Sequence, residues 1–291
     1  MCRDCGCGLP GEEPVGISAH HHEHDHAPPH DHEHGPGDHH DHSHEHSHAH
    51  PHPHEAGDHE NPSRPGDIAH RTLEVRQAIL GRNDRLAERN RGYFQARGLL
   101  VLNVLSAPGS GKTTFLRETV RSLGARLKSG IIVGDLATDN DARRLRESGA
   151  PVVQITTGTI CHLEAEMVAR AVRQIDLGGL GLLIIENVGN LVCPAAYDLG
   201  EDLRIVLLSV AEGEDKPLKY PPMFQAADVV IVSKIDLAQA CGYDREAVMA
   251  NLQRVAPKAR VFEVSAKTGQ GMEAWREYLL EQRQGRDPLA L

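Results

Sequence analysis

Apolar residues in this chain follow two different periods. From residue 99 onward, short apolar runs recur, and most of them are followed by a stretch whose apolar residues have helical spacing. The runs lie at 99–105, 131–133, 152–155, 180–185, 203–210, 229–232 and 260–264. Short buried strands that alternate with helices are typical of βαβ units. The pattern therefore predicts an α/β fold with a doubly wound, mostly parallel sheet, in which ligands bind at the carboxyl ends of the strands.

The segment just before these runs has a helical period. Its apolar residues recur through a charged background, which predicts a helix over about 68–95, and Asp67 is placed to cap its N-terminus. We therefore assign residues 67–97 to an N-terminal helix and residues 98–285 to the main domain. The apolar residues of the predicted helix are Ile68, Leu73, Val75, Ile79 and Leu86.

Residues 9–66 have a low-complexity composition of His, Asp, Glu, Pro and Gly. Such a segment has too few large apolar side chains to offset its ordering entropy by burial, so we expect it to be disordered. It carries 18 of the 20 histidines, between His20 and His59. Mostly neutral imidazoles at pH 7 can bind several metal ions weakly. We interpret the segment as a metal store, with a flexible spacer or an expression tag as the alternatives.

Charge and aromatic content restrict the class of protein further. The net charge of −10 comes from residues 1–66, which carry 13 acidic and 2 basic residues, whereas the remaining 225 residues carry a net +1. A basic face for nucleic acid is not expected. Aromatic residues make up 3% of the chain, which disfavours an all-β sandwich. The sequence has neither an apolar stretch of roughly 18 residues nor a signal peptide, so we expect a cytoplasmic protein without a membrane span.

A glycine-rich segment after the first predicted strand has the chemistry of a phosphate site. Residues 106–113 read Ser-Ala-Pro-Gly-Ser-Gly-Lys-Thr, which fits the P-loop pattern except that Ser106 replaces its first glycine. Backbone N–H groups and the helix N-terminus of such a loop bind phosphate oxygens. Lys112 would neutralise the β/γ-phosphate charge, and Thr113 would reach Mg²⁺. The predicted nucleotide contacts are Gly109, Ser110, Gly111, Lys112, Thr113 and Thr114.

Two carboxylates follow later predicted strands. Asp135 comes after residues 131–134, and Glu186 comes after residues 182–185. A charged residue in this position usually belongs only to a solvated loop. Like the P-loop, both carboxylates follow the carboxyl end of a predicted strand. We therefore predict that they hold Mg²⁺ or its waters near the γ-phosphate. Together with Lys112 they are the predicted catalytic residues.

Two further segments indicate which base is bound. Residues 233–236, Ser-Lys-Ile-Asp, resemble the Asn-Lys-x-Asp guanine motif of GTPases, and residues 265–267 resemble their Ser-Ala-Lys motif. A carboxylate at Asp236 can accept hydrogen bonds from the N1–H and the amine of guanine, which adenine does not offer. We therefore predict that the chain binds GTP and rejects ATP. The predicted contacts are Lys234, Asp236, Ser265, Ala266 and Lys267.

Three cysteines are concentrated at the N-terminus. Cys2, Cys5 and Cys7 form a Cys-x-x-Cys-x-Cys motif within seven residues. Thiolates this close can bind one soft or borderline divalent ion. A set of reactive, unstructured thiols is the alternative, and we favour the metal site.

A second group of metal ligands is more dispersed. Cys161 and His162 are adjacent at the predicted start of a helix, and Cys193 lies seven residues beyond Glu186. A thiol and an imidazole both bind Ni²⁺ or Zn²⁺ well, which favours a metal site at the Cys-His pair. A lone buried cysteine is more often an inert small hydrophobic residue, and we interpret Cys241 in that way.

Together these motifs resemble the HypB family of hydrogenase nickel-incorporation GTPases, which are P-loop GTPases of the SIMIBI class. The resemblance extends over essentially the whole chain. It includes the N-terminal cysteine motif, the His-rich segment, the P-loop and the segments at 134–141, 157–162, 186–193 and 212–217. The directly adjacent Cys161 and His162 separate the chain from the related urease accessory GTPases, which have Cys-Pro-His.

The resemblance implies a GTP-dependent metallochaperone that delivers nickel to the large-subunit precursor of [NiFe]-hydrogenase. It further implies a small zinc-containing maturation partner and a homodimer in the GTP state. By the same resemblance, Cys2, Cys5 and Cys7 form a tight nickel site. Cys161, His162 and Cys193 form a weaker nickel or zinc site at the dimer interface.

Position along the chain suggests how nucleotide and metal are coupled. Cys193 lies four residues after Gly189, in the segment that would sense the γ-phosphate. Asn190 replaces the water-orienting glutamine that many GTPases have there, so we expect slow hydrolysis. Two other classes remain as alternatives: a nickel-storage protein whose P-loop domain is a scaffold, and a P-loop kinase that acts on a small molecule.

Overall fold

The computed structural model describes residues 65–285, with side chains described from Leu73 onward. The chain divides into two units after Ile68. Of the unit before that division, residues 65–68 are described, as helix. The predicted cysteine motif at 1–8, and all but the last two residues of the predicted His-rich segment at 9–66, lie outside the described residues.

A parallel sheet of seven strands lies at the centre of the second unit. Its spatial order is β3-β2-β4-β1-β5-β6-β7, and all six neighbouring pairs are parallel. Each of the seven apolar runs contributes a strand, so the predicted doubly wound α/β fold is confirmed. The strands are β1 Leu100–Ser106, β2 Ser129–Asp135, β3 Val152–Thr156, β4 Leu182–Glu186, β5 Leu203–Ser209, β6 Val229–Ser233 and β7 Arg260–Val264.

Several strands continue past the apolar run into one polar residue at the carboxyl edge. Ser106, Asp135, Glu186 and Ser233 are each the last residue of a strand rather than the first residue of a loop. Backbone pairing, which does not depend on side-chain polarity, extends the ladder to these positions. The polar side chains of the sheet's carboxyl edge therefore start from rigid backbone.

Helices cover both faces of the sheet. Among the helices of residues 65–285, none has the combination of length and apolar character that a bilayer span requires. The helices are α1 Pro65–Ala96, α2 Lys112–Leu123, α3 Asn140–Arg146, α4 Ala165–Val172, α5 Lys216–Lys219, α6 Pro221–Gln225, α7 Arg245–Val255 and α8 Met272–Gln284.

The core consists of aliphatic layers on the two faces of the sheet. Alternate residues of β1 belong to different clusters: Leu100 and Leu102 pack in the cluster that α2 and α8 cover, and Val101 packs in the cluster that includes α4. Successive side chains of a strand point to opposite faces, so each central strand supplies both layers. Rings from α2, β7 and α8 pack around buried Trp275, where they add an aromatic group to one layer.

The predicted N-terminal helix is present as α1, but it begins earlier than predicted. Its first residue is Pro65, whose fixed φ suits the first helical position. Residues 65 and 66, which we predicted to be disordered, are therefore helical. Asp67 lies inside the first turn and not in front of it, so its prediction as the N-cap was wrong.

The packed face of α1 also differs from the predicted one. Leu73, Val75 and Ile79 are about half exposed, at 54%, 59% and 49%. From Leu73 onward, the buried residues of α1 all lie in its later part, at intervals of four, three and four residues. Two of these four residues are polar. The four are Asn83, Ala87, Asn90 and Phe94.

Candidate functional site

The P-loop connects the end of β1 to the start of α2, as predicted. Gly109 and Gly111 have φ angles of +78° and +93°, a left-handed conformation that glycine adopts at little cost. A Cβ on Gly111 would lie 3.3 Å from Cε of Lys234, which shows how closely the Lys234 side chain approaches the loop. These turns aim the first backbone N–H groups of α2 at the carboxyl edge of the sheet, where phosphate groups bind.

A buried carboxylate lies next to the P-loop lysine. Glu186 is 2% exposed, and its Oε1 accepts a hydrogen bond of 2.8 Å from the hydroxyl of Thr113. Nζ of Lys112 donates to Oγ of Ser106 at 3.2 Å and lies 3.9 Å from Oε1 of Glu186. Burial raises the pKa of Glu186 to about 7, although the charge of Lys112 opposes the rise.

This group of side chains fits a divalent cation. The second oxygen of Glu186, Oε2, is buried and has no hydrogen-bond partner within the described part of the chain. A buried carboxylate oxygen without a partner carries a desolvation cost that a bound cation would remove. A hydroxyl and a carboxylate are oxygen ligands of the kind that Mg²⁺ prefers.

Asp135 lies at the same edge but one strand further away. Its strand, β2, pairs with β4 and not with β1. Its two oxygens accept hydrogen bonds from the backbone N–H of Ala137 at 3.2 Å and from the hydroxyl of Thr138 at 3.1 Å. Its charge contributes to the raised pKa of Glu186. Its role as a magnesium ligand stays a prediction.

The two candidate guanine motifs are joined to each other. Oδ1 of Asp236 accepts a hydrogen bond of 2.6 Å from the hydroxyl of Ser265, which is fully buried. This bond holds an otherwise exposed carboxylate in a defined position. The other predicted residues of the second motif, Ala266 and Lys267, follow directly after Ser265.

The first guanine motif is also joined to the P-loop. The hydroxyl of Ser233 donates to the backbone oxygen of Ser110 at 2.8 Å, and Nζ of Lys234 donates to that of Gly109 at 2.6 Å. Lys234 has a φ of +60°, which is unusual for a residue with a side chain. The residue that replaces the usual asparagine thus anchors the phosphate loop.

Cys161, His162 and Cys193 come together, although the last two are 31 positions apart in the chain. One ligand atom from each lies within 4.8 Å of the others, so the three can bind one ion. The segment with Cys161 and His162 is a bend in front of α4, which begins at Ala165. The prediction that this pair begins a helix was therefore wrong. Cys193 begins a short 3₁₀ turn, Cys193–Ala196.

The environment of His162 favours metal binding. His162 is 5% exposed, and neither ring nitrogen has a hydrogen-bond partner among residues 65–285. Burial lowers the pKa of His162, although Glu164, whose Oε1 lies 3.7 Å from Nε2, opposes the shift. Tyr197 stacks on the imidazole with ring centroids 3.9 Å apart. A neutral imidazole with free nitrogens is the form that binds metal ions.

The loop after β4 contacts both the P-loop and the metal ligands. A Cβ on Gly189 would lie 3.3 Å from the backbone of Pro108, so this loop packs closely against the P-loop. Nδ2 of Asn190 donates to the backbone oxygen of Cys161 at 3.3 Å, and Oδ1 of Asn187 accepts from the backbone N–H of Leu163 at 3.2 Å. One segment thus connects the two candidate sites.

Sequence reasoning missed Asn187 and Tyr197, because neither belongs to a motif with a fixed ligand. It was also wrong about Cys241, which is exposed and not a buried hydrophobic residue. Cys2, Cys5 and Cys7 lie outside the described residues, so their site stays a prediction.

Known proteins share this nucleotide-binding region. A family model described as CobW/HypB/UreG, nucleotide-binding domain, matches residues 100–263. Hydrogenase maturation factor HypB of Azotobacter chroococcum mcd 1 is 50% identical over 230 residues, which cover 78% of this chain and 75% of that protein. Hydrogenase maturation factor HypB of Escherichia coli K12 is 48% identical over 229 residues, which cover 79% and 78%.

Solved structures give the same match. The crystal structure of HypB from Helicobacter pylori in complex with nickel superposes with a TM-score of 0.68 and 43% identity, covering 70% of this chain and 96% of that one. Residues 100–263, which the family model matches, include the P-loop and all three members of the Cys161/His162/Cys193 cluster.

Proposed function

The chain belongs to the HypB branch of the CobW/HypB/UreG family, and on that premise we propose that it is a GTP-hydrolysing nickel metallochaperone of [NiFe]-hydrogenase maturation. Its nucleotide state is coupled to metal binding and to dimerisation. One observation carries the proposal: a loop that packs on the P-loop also hydrogen-bonds to the segment with two of the three metal ligands. The names of its relatives support the pathway, since they are hydrogenase maturation factors.

In the nucleotide half of the proposal, the P-loop residues bind the phosphates of GTP and Asp236 selects guanine. Thr113 and Glu186, with Asp135 as a further candidate, would hold Mg²⁺, which supplies positive charge against the phosphate oxygens. Thr113 and Lys112 already contact Glu186. The phosphate groups and their cation would therefore enter a site whose polar groups are in place.

Slow hydrolysis is part of the same proposal. Oδ1 of Asn190 accepts a hydrogen bond of 2.9 Å from the backbone N–H of Val192, while its amide donates to Cys161. Both ends of this side chain are thus engaged within the loop and with the metal-ligand segment. These bonds hold the Asn190 side chain toward the metal-ligand segment, which supports a switch that turns over slowly.

In the metal half, the thiolates of Cys161 and Cys193 and the neutral imidazole of His162 bind nickel as cargo, or zinc in its place. The crystal structure of the Helicobacter pylori relative, which contains nickel, supports this choice. The proposal also includes the tight N-terminal site, capture by the His-rich segment and a cytoplasmic location. Its partners are a small zinc-containing maturation protein, the hydrogenase large-subunit precursor and a second copy of this chain.

The decisive measurement is nickel affinity in the two nucleotide states. We expect the Cys161/His162/Cys193 cluster to bind nickel with affinities that differ about 5- to 150-fold between GDP and a non-hydrolysable GTP analogue, the usual range for coupled sites. Cys2, Cys5 and Cys7 are replaced by Ser so that they do not mask the weaker site. Equal affinities in the two states would contradict the coupling and leave a storage protein.

Asp236→Asn should change the base preference from guanine to xanthine. The amide can donate to the 2-oxo group of xanthine, whereas the carboxylate accepts from the amine of guanine. Competition between GTP and XTP for binding measures the change, and Asp244→Asn, an acidic residue outside the guanine motifs, is the matched control. An Asp236→Asn variant that still prefers GTP would mean that another group reads the base.

A further inference from the structure

Two asparagines of α1 are buried against the domain. Asn83 and Asn90 are 5% and 6% exposed and lie seven residues apart, on the face that also carries Ala87 and Phe94. An apolar residue would pack there without a desolvation cost, whereas a buried amide requires hydrogen-bond partners. The partners of the two amides therefore indicate what these side chains do.

Both asparagines bridge the same two segments of the domain. Asn83 donates to the backbone oxygen of Asp198 at 2.8 Å and accepts from the backbone N–H of Ala165 at 2.9 Å. Asn90 donates to the backbone oxygen of Ala165 at 2.8 Å and to that of Leu199 at 3.1 Å. All four bonds end on backbone atoms, so they position the chain itself and not mobile side chains.

The two bridged segments carry the candidate metal ligands. Ala165 follows His162 by three residues, and Asp198 follows Tyr197, whose ring stacks on His162. Residues 198 and 199 continue the chain from the 3₁₀ turn that Cys193 begins. The two arms of the Cys161/His162/Cys193 cluster are thus joined to each other through α1.

Residues 198–201, which follow the turn at Cys193, also pack closely against α1. Gly200 has a φ of +90°, and a Cβ on it would lie 2.6 Å from the backbone oxygen of Ala87 and 2.7 Å from Cβ of Asn90. The guanidinium of Arg91 pairs with Asp198 and donates to the backbone oxygen of Glu201. A change in the position of α1 would therefore move residues 198–201.

We propose that Asn83 and Asn90 are positioning residues for the metal site. They hold the segment after Cys161 and His162 and the segment after Cys193 at the separation that lets the three ligands meet at one ion. The position of α1 thereby sets metal affinity. This inference rests on the proposed metal site, but it assigns to α1 a task that neither the P-loop nor the ligands themselves perform.

The test uses the full chain with Cys2, Cys5 and Cys7 replaced by Ser. Co²⁺ is titrated and followed by its thiolate-to-metal charge-transfer absorption, which reports on cysteine ligands and not on the histidine-rich segment. Asn83→Ala and Asn90→Ala should each weaken Co²⁺ binding about 10-fold or more, as removal of supporting hydrogen bonds around a metal site does. GDP affinity should stay unchanged, because neither asparagine contacts the P-loop.

The matched control is Phe94→Leu, on the same helix face. Phe94 is 1% exposed and packs in an apolar cluster, so its truncation lowers stability through lost apolar contacts, while the four amide bonds keep α1 in position. Denaturant unfolding should show a loss of stability in this variant, with Co²⁺ affinity retained. Should an alanine variant fail to fold, Asn83→Ser and Asn90→Ser should weaken Co²⁺ binding in the same direction.

Two outcomes would overturn the inference. If the asparagine variants lose stability but bind Co²⁺ as the parent does, or if Phe94→Leu weakens binding equally, the asparagines only fasten the helix. If the parent itself shows no thiolate charge-transfer signal, the metal site is wrong and this inference fails together with the proposed function. A normal parent signal therefore separates failure of the inference from failure of the function.

Discussion

Lys112→Ala should abolish tight nucleotide binding. The ammonium group is the cation of the P-loop, and each charge-assisted hydrogen bond that it makes to phosphate contributes about 1.5–3 kcal/mol. Loss of two such bonds corresponds to a decrease of at least about 100-fold in affinity, since about 1.4 kcal/mol is a factor of ten. Fluorescent GDP or GTP titration measures the effect.

Lys112→Ala should also change the charge of Glu186, which weakens nucleotide binding further. Glu186 is buried, with Lys112 3.9 Å away as its cationic neighbour. Because the charge of Lys112 lowers the pKa of Glu186, its removal raises that pKa above about 7. The protonated fraction of the carboxyl group therefore increases, and the site loses negative charge that would hold Mg²⁺.

The control for Lys112→Ala is Lys258→Ala. Lys258 is exposed and lies just before β7, at the amino edge of the sheet, so its removal should leave nucleotide binding unchanged. The charge-transfer signal of metal at Cys161 and Cys193 should persist in Lys112→Ala without nucleotide. Retention of tight GTP binding by Lys112→Ala would show that residues 106–113 do not act as a P-loop.

Cys193→Ala should remove metal binding at the Cys161/His162/Cys193 cluster. With one of three ligands lost, the two remaining ligands are adjacent in the chain and cannot enclose an ion. Structural zinc sites are stabilised by about 10–16 kcal/mol from all their ligands together. Loss of one ligand should therefore weaken binding by well over about 100-fold. Metal titration in the chain without Cys2, Cys5 and Cys7 measures this loss.

The same substitution should remove the coupling between nucleotide and metal while nucleotide binding itself persists. Cys193 is not part of the P-loop or of either guanine motif, so GDP affinity should not change. Cys241→Ala is the matched control, since Cys241 is exposed and lies outside the cluster. If Cys193→Ala still binds metal with nucleotide-dependent affinity, the coupling passes through a different set of ligands.

The sequence by itself predicted the strands of the sheet and the P-loop between β1 and α2. Strands were found from short apolar runs because a strand buried on both faces has a local signature that needs no knowledge of its neighbours. The P-loop and the candidate guanine motifs are similarly local, since each begins at or directly after the end of a strand. The Cys161-His162 pair was recognised for the same reason, although its placement on a helix was wrong.

Only the tertiary structure decided which distant residues meet. Cys161 and His162 follow β3, Cys193 follows β4, and β2 lies between these two strands in the sheet. The loops after β3 and β4 must therefore extend across the end of β2 to meet, and no local sequence pattern contains this information. Burial is equally non-local: the raised pKa of Glu186 and the exposed apolar residues of the first half of α1 depend on what packs against them.

Asn83 and Asn90 show the physical reason most clearly. In the sequence they are polar residues on a charged helix, where solvent exposure is the ordinary expectation. In the fold they are buried, because the backbone of residues 165, 198 and 199 offers the donors and acceptors that their amides need. A periodic pattern identifies an element, but the partners of its polar side chains are set by segments that only folding brings together.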